Sequence, residues 1–94
     1  MRILKLVGNA GRAQVLHVLA ASSTPLSTTE VSQAAGIQYR SALLNLQALE
    51  AEQLVRANMG PEEDRHGHQL EWTADRTRIR VLLAELTRYL LGEG

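Results

Sequence analysis

Apolar side chains recur every three or four residues in four stretches of the chain, which is the period of an amphipathic helix. These stretches predict a first helix that ends near Ala21 to Ser23, a short second helix over roughly Thr28 to Ala35, a third helix that is already running four residues beyond Gly36, and a last helix over about 74–91. Because so few residues separate the second helix from the third, the two must cross steeply. The pattern therefore predicts a helix-turn-helix over about 27–53.

Capping residues mark both ends of the second helix. Ser27 and Glu30 form the Ser-x-x-Glu pattern of a capping box, in which each side chain accepts a hydrogen bond from a free backbone N–H at the helix start. Gly36 follows the last helical residue and can take the left-handed backbone conformation of a helix terminus. These signals define the ends of the helix more closely than periodicity alone.

A change of period after the third helix predicts a β-hairpin. Residues 54–59 have a strand-like composition, Gly60 and Pro61 begin a turn that contains an acidic run, and residues 68–73 alternate polar and apolar side chains. Thr73 is then the expected N-cap of the last helix. This order of elements is that of a winged helix-turn-helix, a mainly α fold of about four to five helices with a small two-stranded wing over about 54–73.

Length and composition fit a single domain over residues 1–94, because separate cores form only in longer chains. The apolar fraction is 45%, with no Phe and one Trp, so the core must be built from aliphatic side chains on helices. No apolar stretch approaches the roughly 18 residues of a membrane span, and the first residues are too briefly apolar for a signal sequence. Together with the lack of cysteine, these features predict a soluble cytoplasmic protein with no membrane partner.

Several segments of the chain resemble the ArsR-type family of small bacterial repressors. They are the start of the first helix at Val7–Leu16, the capped segment Leu26–Val31, the turn Ala35–Ile37, the leucine spacing Leu46–Leu49 and the pair Leu54–Val55, and they follow the family's order over nearly the whole chain. The resemblance implies a winged helix-turn-helix transcription regulator, usually a repressor. It also implies a homodimer that binds double-stranded DNA.

Two departures from the family pattern bear on DNA binding. The family usually has a glycine before the Leu-Val pair, where this chain has Gln53, and it carries more basic residues along the third helix, where this chain has Arg40 alone. The net charge is zero, with 10 basic and 10 acidic residues, which does not favour strong non-specific binding to nucleic acid. A winged helix can also serve as a protein-protein interaction module without DNA binding, and this alternative stays open.

The first turns of the third helix are the predicted DNA-reading positions, because a recognition helix presents its N-terminal residues to base edges. Arginine can bind guanine, glutamine and asparagine can bind adenine, and leucine can contact the methyl group of thymine. The same side chains would form the solvated face of the helix in a protein that binds no DNA. The predicted readers are Gln38, Tyr39, Arg40, Ser41, Leu44 and Asn45.

Basic residues outside the third helix are the candidates for backbone contacts. Arg12 at the start of the first helix and Arg56 at the base of the wing are expected to contact phosphates, although Arg12 also suits a structural ion pair. Arg65 and His66 at the wing tip can reach a minor groove or a flanking phosphate. DNA would repel the acidic run 62–64, so we hypothesise that this run pairs with arginines of the same or the partner chain.

Apolar residues at both ends of the chain predict a homodimer, because they exceed what one small core can cover. A two-fold dimer would place its recognition helices about 34 Å apart and bind a near-palindromic operator. The predicted interface residues are Leu4, Val7, Ile79, Leu82, Leu83, Leu86, Tyr89 and Leu90.

The His-Gly-His segment at 66–68 suggests a metal site, but no cysteine and no clear third ligand accompany it, so no metal and no cofactor are predicted. The chain also has no Gly-rich phosphate loop, no nucleophile elbow and no enclosed pair of carboxylates. We therefore predict a regulator rather than an enzyme. Any small-molecule effector is unknown.

Overall fold

The computed structural model describes residues 10–93, which form four helices and three strands. The elements in chain order are α1 (Ala10–Ala21), β1 (Leu26–Ser27), α2 (Thr28–Ala35), α3 (Tyr39–Ala51), β2 (Val55–Ala57), β3 (Glu71–Ala74) and α4 (Arg76–Leu90). This is the predicted mainly α fold with a small β wing. Within these residues no helix is long and apolar enough to cross a bilayer.

The three strands form one antiparallel sheet in the order β1, β3, β2. Strand β2 pairs with β3 as the predicted hairpin, with Arg56 opposite Thr73. Strand β1 pairs with the other edge of β3, with Leu26 opposite Trp72, so the expectation of a two-stranded sheet was incomplete. A strand of two residues is too short to show the alternation by which strands are predicted.

The core lies between the first three helices and one face of the sheet. Its side chains are aliphatic except for one indole, that of the fully buried Trp72, as the composition predicts. The two faces of β3 alternate, so Trp72 and Ala74 are buried while Glu71 and Thr73 are exposed. The buried apolar residues are Val15, Leu19, Val31, Ala42, Leu46, Leu49, Leu54, Val55, Trp72, Ala74 and Leu82.

The predicted capping box of α2 is confirmed. The Glu30 N–H donates to Ser27 Oγ at 3.1 Å, and the Ser27 N–H donates to Glu30 Oε1 at 2.8 Å. Gly36 ends the helix in the left-handed conformation with φ of +67°, as expected. Ser32 Oγ then donates to the Ile37 carbonyl at 2.7 Å and braces the turn into α3. Hydrogen bonds within the motif thus define both ends of α2 and brace the turn into α3.

The last helix begins two residues later than expected. Its N-cap is Asp75, whose Oδ1 accepts from the Arg78 N–H at 3.0 Å, so the prediction of a Thr73 cap was wrong. Thr73 and Ala74 continue strand β3 instead, because both pair with β2. The Asp75 N–H extends this pairing by donating to the Leu54 carbonyl at 2.8 Å.

Helix α4 divides its apolar residues between the core and solvent. Leu82 is only 4% exposed and belongs to the core of its own chain, so it cannot serve in a dimer interface as predicted. Ile79 and Leu86 are half-buried against the core, whereas Leu83 and Leu90 are 54% and 67% exposed. The sequence pattern places all of these residues on one broad apolar face of the helix. It does not show which part of that face packs against the core and which part stays exposed.

A side chain from the first turn of α4 joins this helix to the end of α1. Arg76 Nη2 donates to the carbonyls of Ala20 at 2.8 Å and Ser22 at 2.9 Å. Two carbonyls at a helix C-terminus are thereby paired with a cation, which suits the negative end of the helix dipole. The predicted interface residues Leu4 and Val7 lie outside the described residues.

Candidate nucleic-acid interface

The recognition helix α3 is positioned by its buried face. Ala42, Leu46 and Leu49 are fully buried at helical spacing and fix the rotation of the helix about its axis. Gln38 occupies the N-cap position with φ of −67° and ψ of 150°, but its side chain makes no capping hydrogen bond. The amide of Gln38 is therefore not used by the helix it precedes.

The opposite face of α3 is exposed at its N-terminal half. Arg40, Ser41 and Leu44 are exposed there, with Leu44 at 56%, and Tyr39 is 53% exposed at the first position of the helix. Asn45 is half-buried and lies closer to the core side than the other predicted readers. The fold thus brings most of the predicted readers together on one open surface.

The wing borders this surface. A concavity of about 250 Å³ separates α3 from the start of α2 and from the residues that lead into β3. Tyr39 and Gln47 line its α3 side, Thr29 its α2 side, and His68 and Gln69 its wing side. Sequence analysis did not select Thr29, Gln47, His68 or Gln69. Of these, Gln47 alone had a signal in the sequence, since it lies three residues after Leu44 on the same helix face.

Arg65 lies in the wing loop and also lines this concavity, but its guanidinium is bonded within the protein. Its Nε donates to the Gly60 carbonyl at 3.2 Å and its Nη2 to the Met59 carbonyl at 2.7 Å. Its Nη1 donates to Glu50 Oε1 at 3.2 Å, while Nη2 pairs with the other carboxylate oxygen. The side chains of Arg65 and Glu50 are only 17% and 14% exposed. This bidentate pair joins the wing loop to the last turn of α3.

The surroundings of Arg65 favour its charged form. The pKa of Arg65 is raised, chiefly by its hydrogen bond to Glu50; burial lowers the pKa, and attraction to Glu50, Glu62 and Glu63 adds to the increase. Among the residues of the acidic run, Glu62 and Glu63 therefore act on an arginine of their own chain, which is consistent with the first part of our hypothesis for that run.

The other predicted backbone contacts lie at the surface. Arg56 is exposed on β2 and lines a concavity of about 340 Å³ together with Pro25, Asn58 and Glu71. His66 is exposed in the wing loop, where its backbone N–H donates to Asp64 Oδ1 at 3.0 Å. Arg12 is half-buried in the first turn of α1.

The charge of this region is negative. Residues 28–74 contain seven acidic and three basic side chains. Arg65 is one of the three and is committed to Glu50, which leaves Arg40 and Arg56 as the exposed cations of this stretch. Within residues 10–93 no group of three or more His, Cys, Asp or Glu side chains is placed to hold a metal ion.

Comparison with known proteins gives similarity at the level of structure. No protein-family model matches the chain, and no curated protein matches it. The crystal structure of AntR, an antimony-specific transcriptional repressor, is 25% identical with a TM-score of 0.64, covering 96% of this chain and 76% of that one. A possible transcriptional regulatory protein of Mycobacterium bovis is also 25% identical, with a TM-score of 0.66 over 92% of this chain and 86% of that one.

Two further structures show the same fold at lower identity. The winged helix-turn-helix DNA-binding domain Mb0332 of Mycobacterium bovis, described as homodimeric and as a possible ArsR-family transcriptional regulator, is 24% identical with a TM-score of 0.64 and covers 99% of this chain and 82% of that one. MepR of S. aureus, solved as a complex with DNA, is 15% identical with a TM-score of 0.60 over 90% of this chain and 67% of that one.

These similarities confirm the predicted architecture. The chain has the fold of winged helix-turn-helix transcription regulators, and its resemblance to ArsR-type regulators, first indicated by sequence segments, extends to the three-dimensional structure. The proteins compared are described as transcription regulators or possible transcription regulators, and not as enzymes.

Proposed function

We propose that the protein is a sequence-specific DNA-binding transcription regulator, a repressor in the bacterial cytoplasm, that acts as a homodimer on a near-palindromic operator. The observation that carries this proposal is the open N-terminal half of α3, where Arg40, Ser41 and Leu44 are exposed beside the wing. A rigid helix that presents a cation, a hydroxyl and an apolar side chain on one surface has the chemistry to read base edges in a major groove.

Each exposed group on α3 has a defined role in this proposal. Arg40 binds O6 and N7 of a guanine, and Leu44, one turn further along, contacts a thymine methyl group. Gln38 binds an adenine, since its amide is free of capping duties. Tyr39 and Ser41 contact the phosphate backbone or a neighbouring base. Asn45, which is half-buried, supports the edge of this surface.

Backbone contacts come from outside α3. Arg56 and Arg12 bind phosphates and set the position of the protein on the duplex, and His66 lies against a flanking phosphate. Arg65 has a different role, because its guanidinium already binds Glu50 and two backbone carbonyls. We therefore remove Arg65 from the DNA-contacting residues expected from the sequence.

Similar proteins support this proposal. AntR is a transcriptional repressor with the same fold over most of its length, and MepR carries this fold in a complex with DNA. Mb0332 is described as a homodimeric DNA-binding domain. The proposal for this chain agrees with what is stated for those proteins.

The dimer interface is assigned to the exposed edge of α4. Ile79, Leu83, Leu86 and Leu90 follow each other at helical spacing, and Leu83 and Leu90 are mostly exposed. Tyr89 is 55% exposed at the end of the helix and extends this surface. Burying such a stripe against its two-fold copy removes apolar area from water. Each dimer then presents two α3 helices to successive turns of the duplex.

A paired substitution tests the dimer. Leu83→Glu places a charge in the proposed interface, whereas Val81→Glu places it on the other side of α4, because successive residues are about 100° apart. Val81 is 43% exposed, so both changes are made at open positions. Light scattering should show a dimer for Val81→Glu and a monomer for Leu83→Glu. A dimer in both variants, or a monomeric wild-type protein, contradicts the assignment.

Selection from random double-stranded DNA tests the function itself. The protein is mixed with a random library, bound DNA is recovered over several rounds, and the enriched sequences are aligned. The proposal predicts a near-palindrome with half-sites separated by about 10 base pairs. Arg40→Ala should lose the preferred base at one position of each half-site. Recovery of no enriched sequence by the wild-type dimer would reject the proposal.

The excess of acidic side chains favours a second candidate function. Seven acidic residues lie between positions 28 and 74, and such a surface suits a basic protein partner better than DNA. In that case the chain is a winged-helix protein-protein interaction module. The same selection separates the two functions, because an interaction module enriches no DNA sequence and is insensitive to Arg40→Ala in any DNA assay.

A further inference from the structure

One arginine, Arg65, contacts the wing loop, the last turn of α3 and strand β3. Arg65 uses four of the five N–H groups of its guanidinium, on the carbonyls of Met59 and Gly60 and on both carboxylate oxygens of Glu50. Its guanidinium carbon also lies 5.8 Å from the ring centroid of Trp72 on β3, within the range of a cation–π contact. Little hydrogen-bonding capacity remains for a phosphate.

Trp72 in turn is bonded to the helix-turn-helix. Its Nε1 donates to Thr28 Oγ1 at 2.9 Å, and both side chains are buried. Thr28 is the first residue of α2 and Glu50 lies in the last turn of α3. The network Thr28, Trp72, Arg65 and Glu50 therefore ties the wing to the start of one helix of the motif and to the end of the other.

The wing loop depends on this tether. The other side-chain hydrogen bonds described within residues 58–70 and their neighbours stay inside the hairpin, where the Glu71 N–H donates to Asn58 Oδ1 and the His66 N–H donates to Asp64 Oδ1. The Arg65 pair is mostly shielded from water, so removing one partner leaves the other charge poorly solvated. Loss of Arg65 removes both the anchor on α3 and the bonds to the loop carbonyls, whereas loss of Glu50 removes the anchor on α3.

We infer that Arg65 is a positioning residue that holds the wing beside α3 through Glu50, and that it affects DNA affinity through the wing rather than by touching DNA. This inference rests on the proposed function for its effect on DNA, but the tether itself is a property of the free protein. The surface it positions is the one that His68, Gln69, Tyr39 and Gln47 share.

The sign of the effect at Glu50 distinguishes positioning from direct contact. Glu50→Ala removes a negative charge close to the proposed DNA surface, so electrostatics alone predicts tighter binding. Loss of the tether predicts weaker binding, by about tenfold, which corresponds to about 1.4 kcal/mol. Arg65→Gln should weaken binding to a similar degree. Glu63→Ala is the matched control, because it removes an exposed negative charge from the same loop and leaves the tether in place.

Two measurements without DNA test the tether directly. The amides of Glu63 and His68 donate within the loop to Gly60 and Arg65, and they should exchange hydrogen at least about tenfold faster in Arg65→Gln and Glu50→Ala. The amide of Leu46 in the core of α3 should keep its wild-type rate. Trp72 is the only tryptophan, so its fluorescence should shift to longer wavelength as the wing opens.

Arg65→Lys is a conservative variant that keeps the test valid if the other variants do not fold. Lysine keeps the charge but cannot bind a carboxylate in the bidentate geometry, so loop exchange should stay faster than in the wild type and DNA affinity lower. Circular dichroism checks that the helices remain folded in each variant.

The outcomes separate the two proposals. The inference is overturned if loop exchange is unchanged in all three tether variants, if Arg65→Lys restores wild-type exchange and affinity, or if Glu50→Ala binds DNA more tightly while Arg65→Gln binds it less. If the wild type enriches no DNA sequence, the proposed function fails, and exchange and fluorescence still decide whether Arg65 positions the wing.

Discussion

The helix-turn-helix and the wing are held in place by different kinds of contact. In the helix-turn-helix, hydrogen bonds join residues that are close in sequence, as in the Ser27 and Glu30 capping box and the bond from Ser32 to Ile37. In the wing, the bonds that fix its position join residues far apart in the chain. Trp72 binds Thr28 across 44 positions, and Arg65 binds Glu50 across 15.

This difference has a consequence for function. Because the helix-turn-helix is held by its own backbone, caps and buried leucines, the exposed side chains of α3 are left for the recognition role that we propose. The wing holds its position with side chains that DNA-binding wings could otherwise use, Arg65 above all. We infer that α3 supplies specificity and that the wing supplies placement.

The largest effect that separates the two regions is expected at Arg40. Arg40→Ala should weaken binding to the selected operator by about 30-fold or more, since a bidentate contact to guanine contributes about 1–3 kcal/mol and the dimer loses two of them. The free energy of unfolding should stay unchanged, because the side chain is exposed. Fluorescence anisotropy with labelled operator measures the affinity. Arg80→Ala, the same change on exposed α4, serves as the control and should bind like the wild type.

The next effect is expected at the buried hydrogen bond between Trp72 and Thr28, which joins the wing to the helix-turn-helix. Thr28→Val removes the acceptor of the buried Trp72 Nε1–H and keeps the shape of the side chain, so the free energy of unfolding should fall by about 2 kcal/mol. Urea denaturation followed by Trp72 fluorescence measures this loss. Thr29→Val changes the exposed neighbour and should cost little. Equal losses of unfolding free energy in Thr28→Val and Thr29→Val would show that the bond between Trp72 and Thr28 contributes nothing to stability.

A smaller effect is expected from the turn inside the helix-turn-helix. Gly36→Ala should cost about 1–2 kcal/mol of unfolding free energy, because the residue has φ of +67° and nothing within 4 Å of its added Cβ, so the cost is conformational. Gly67 in the wing loop has φ of +76° with similar space. Gly67→Ala should cost less, since that exposed loop can relax. A larger cost at Gly67 would contradict the view that the wing is the more adaptable region.

The smallest effect has the opposite sign and lies where α3 leads into the wing. Gln53 has φ of +64°, the left-handed conformation that glycine adopts without strain, and it stands where ArsR-type sequences usually have glycine. Gln53→Gly should therefore raise the free energy of unfolding, by up to about 1 kcal/mol. Gln47→Gly within α3 is the control and should lower it by about 1 kcal/mol. Destabilisation by both substitutions would mean that the Gln53 side chain contributes more than its backbone strain costs.

Sequence reasoning succeeded where the determinants are local. The capping box and Gly36 predicted the limits of α2 at Thr28 and Ala35 to the residue, because caps act within one turn of the helix. The order of helices and hairpin followed from periodicity in the same way. The exposed face of α3 was also predictable, since Ala42, Leu46 and Leu49 define its buried side.

Sequence reasoning failed where the determinants are distant. In the sequence, Arg65 is a basic residue in a loop next to His66 and Gly67, which suggests a DNA contact. Only the fold shows that Glu50 lies within hydrogen-bonding distance of it. Leu82 could not be separated from Leu83 as a core residue without knowing which side of α4 packs on the core. Strand β1 has only two residues and is defined by its pairing with β3, where Leu26 lies opposite Trp72, so the local sequence carries no signal for it.

The most direct test of the account is the salt dependence of binding to the selected operator. With Arg12 and Arg56 of both protomers on phosphates, the logarithm of the association constant should fall against the logarithm of salt concentration with a slope of about −3 to −4. A scrambled sequence should bind about 1,000-fold more weakly than the operator, or weaker still. A flat salt dependence, or equal affinity for the operator and the scrambled sequence, would contradict the claim that this protein is a sequence-specific DNA-binding regulator.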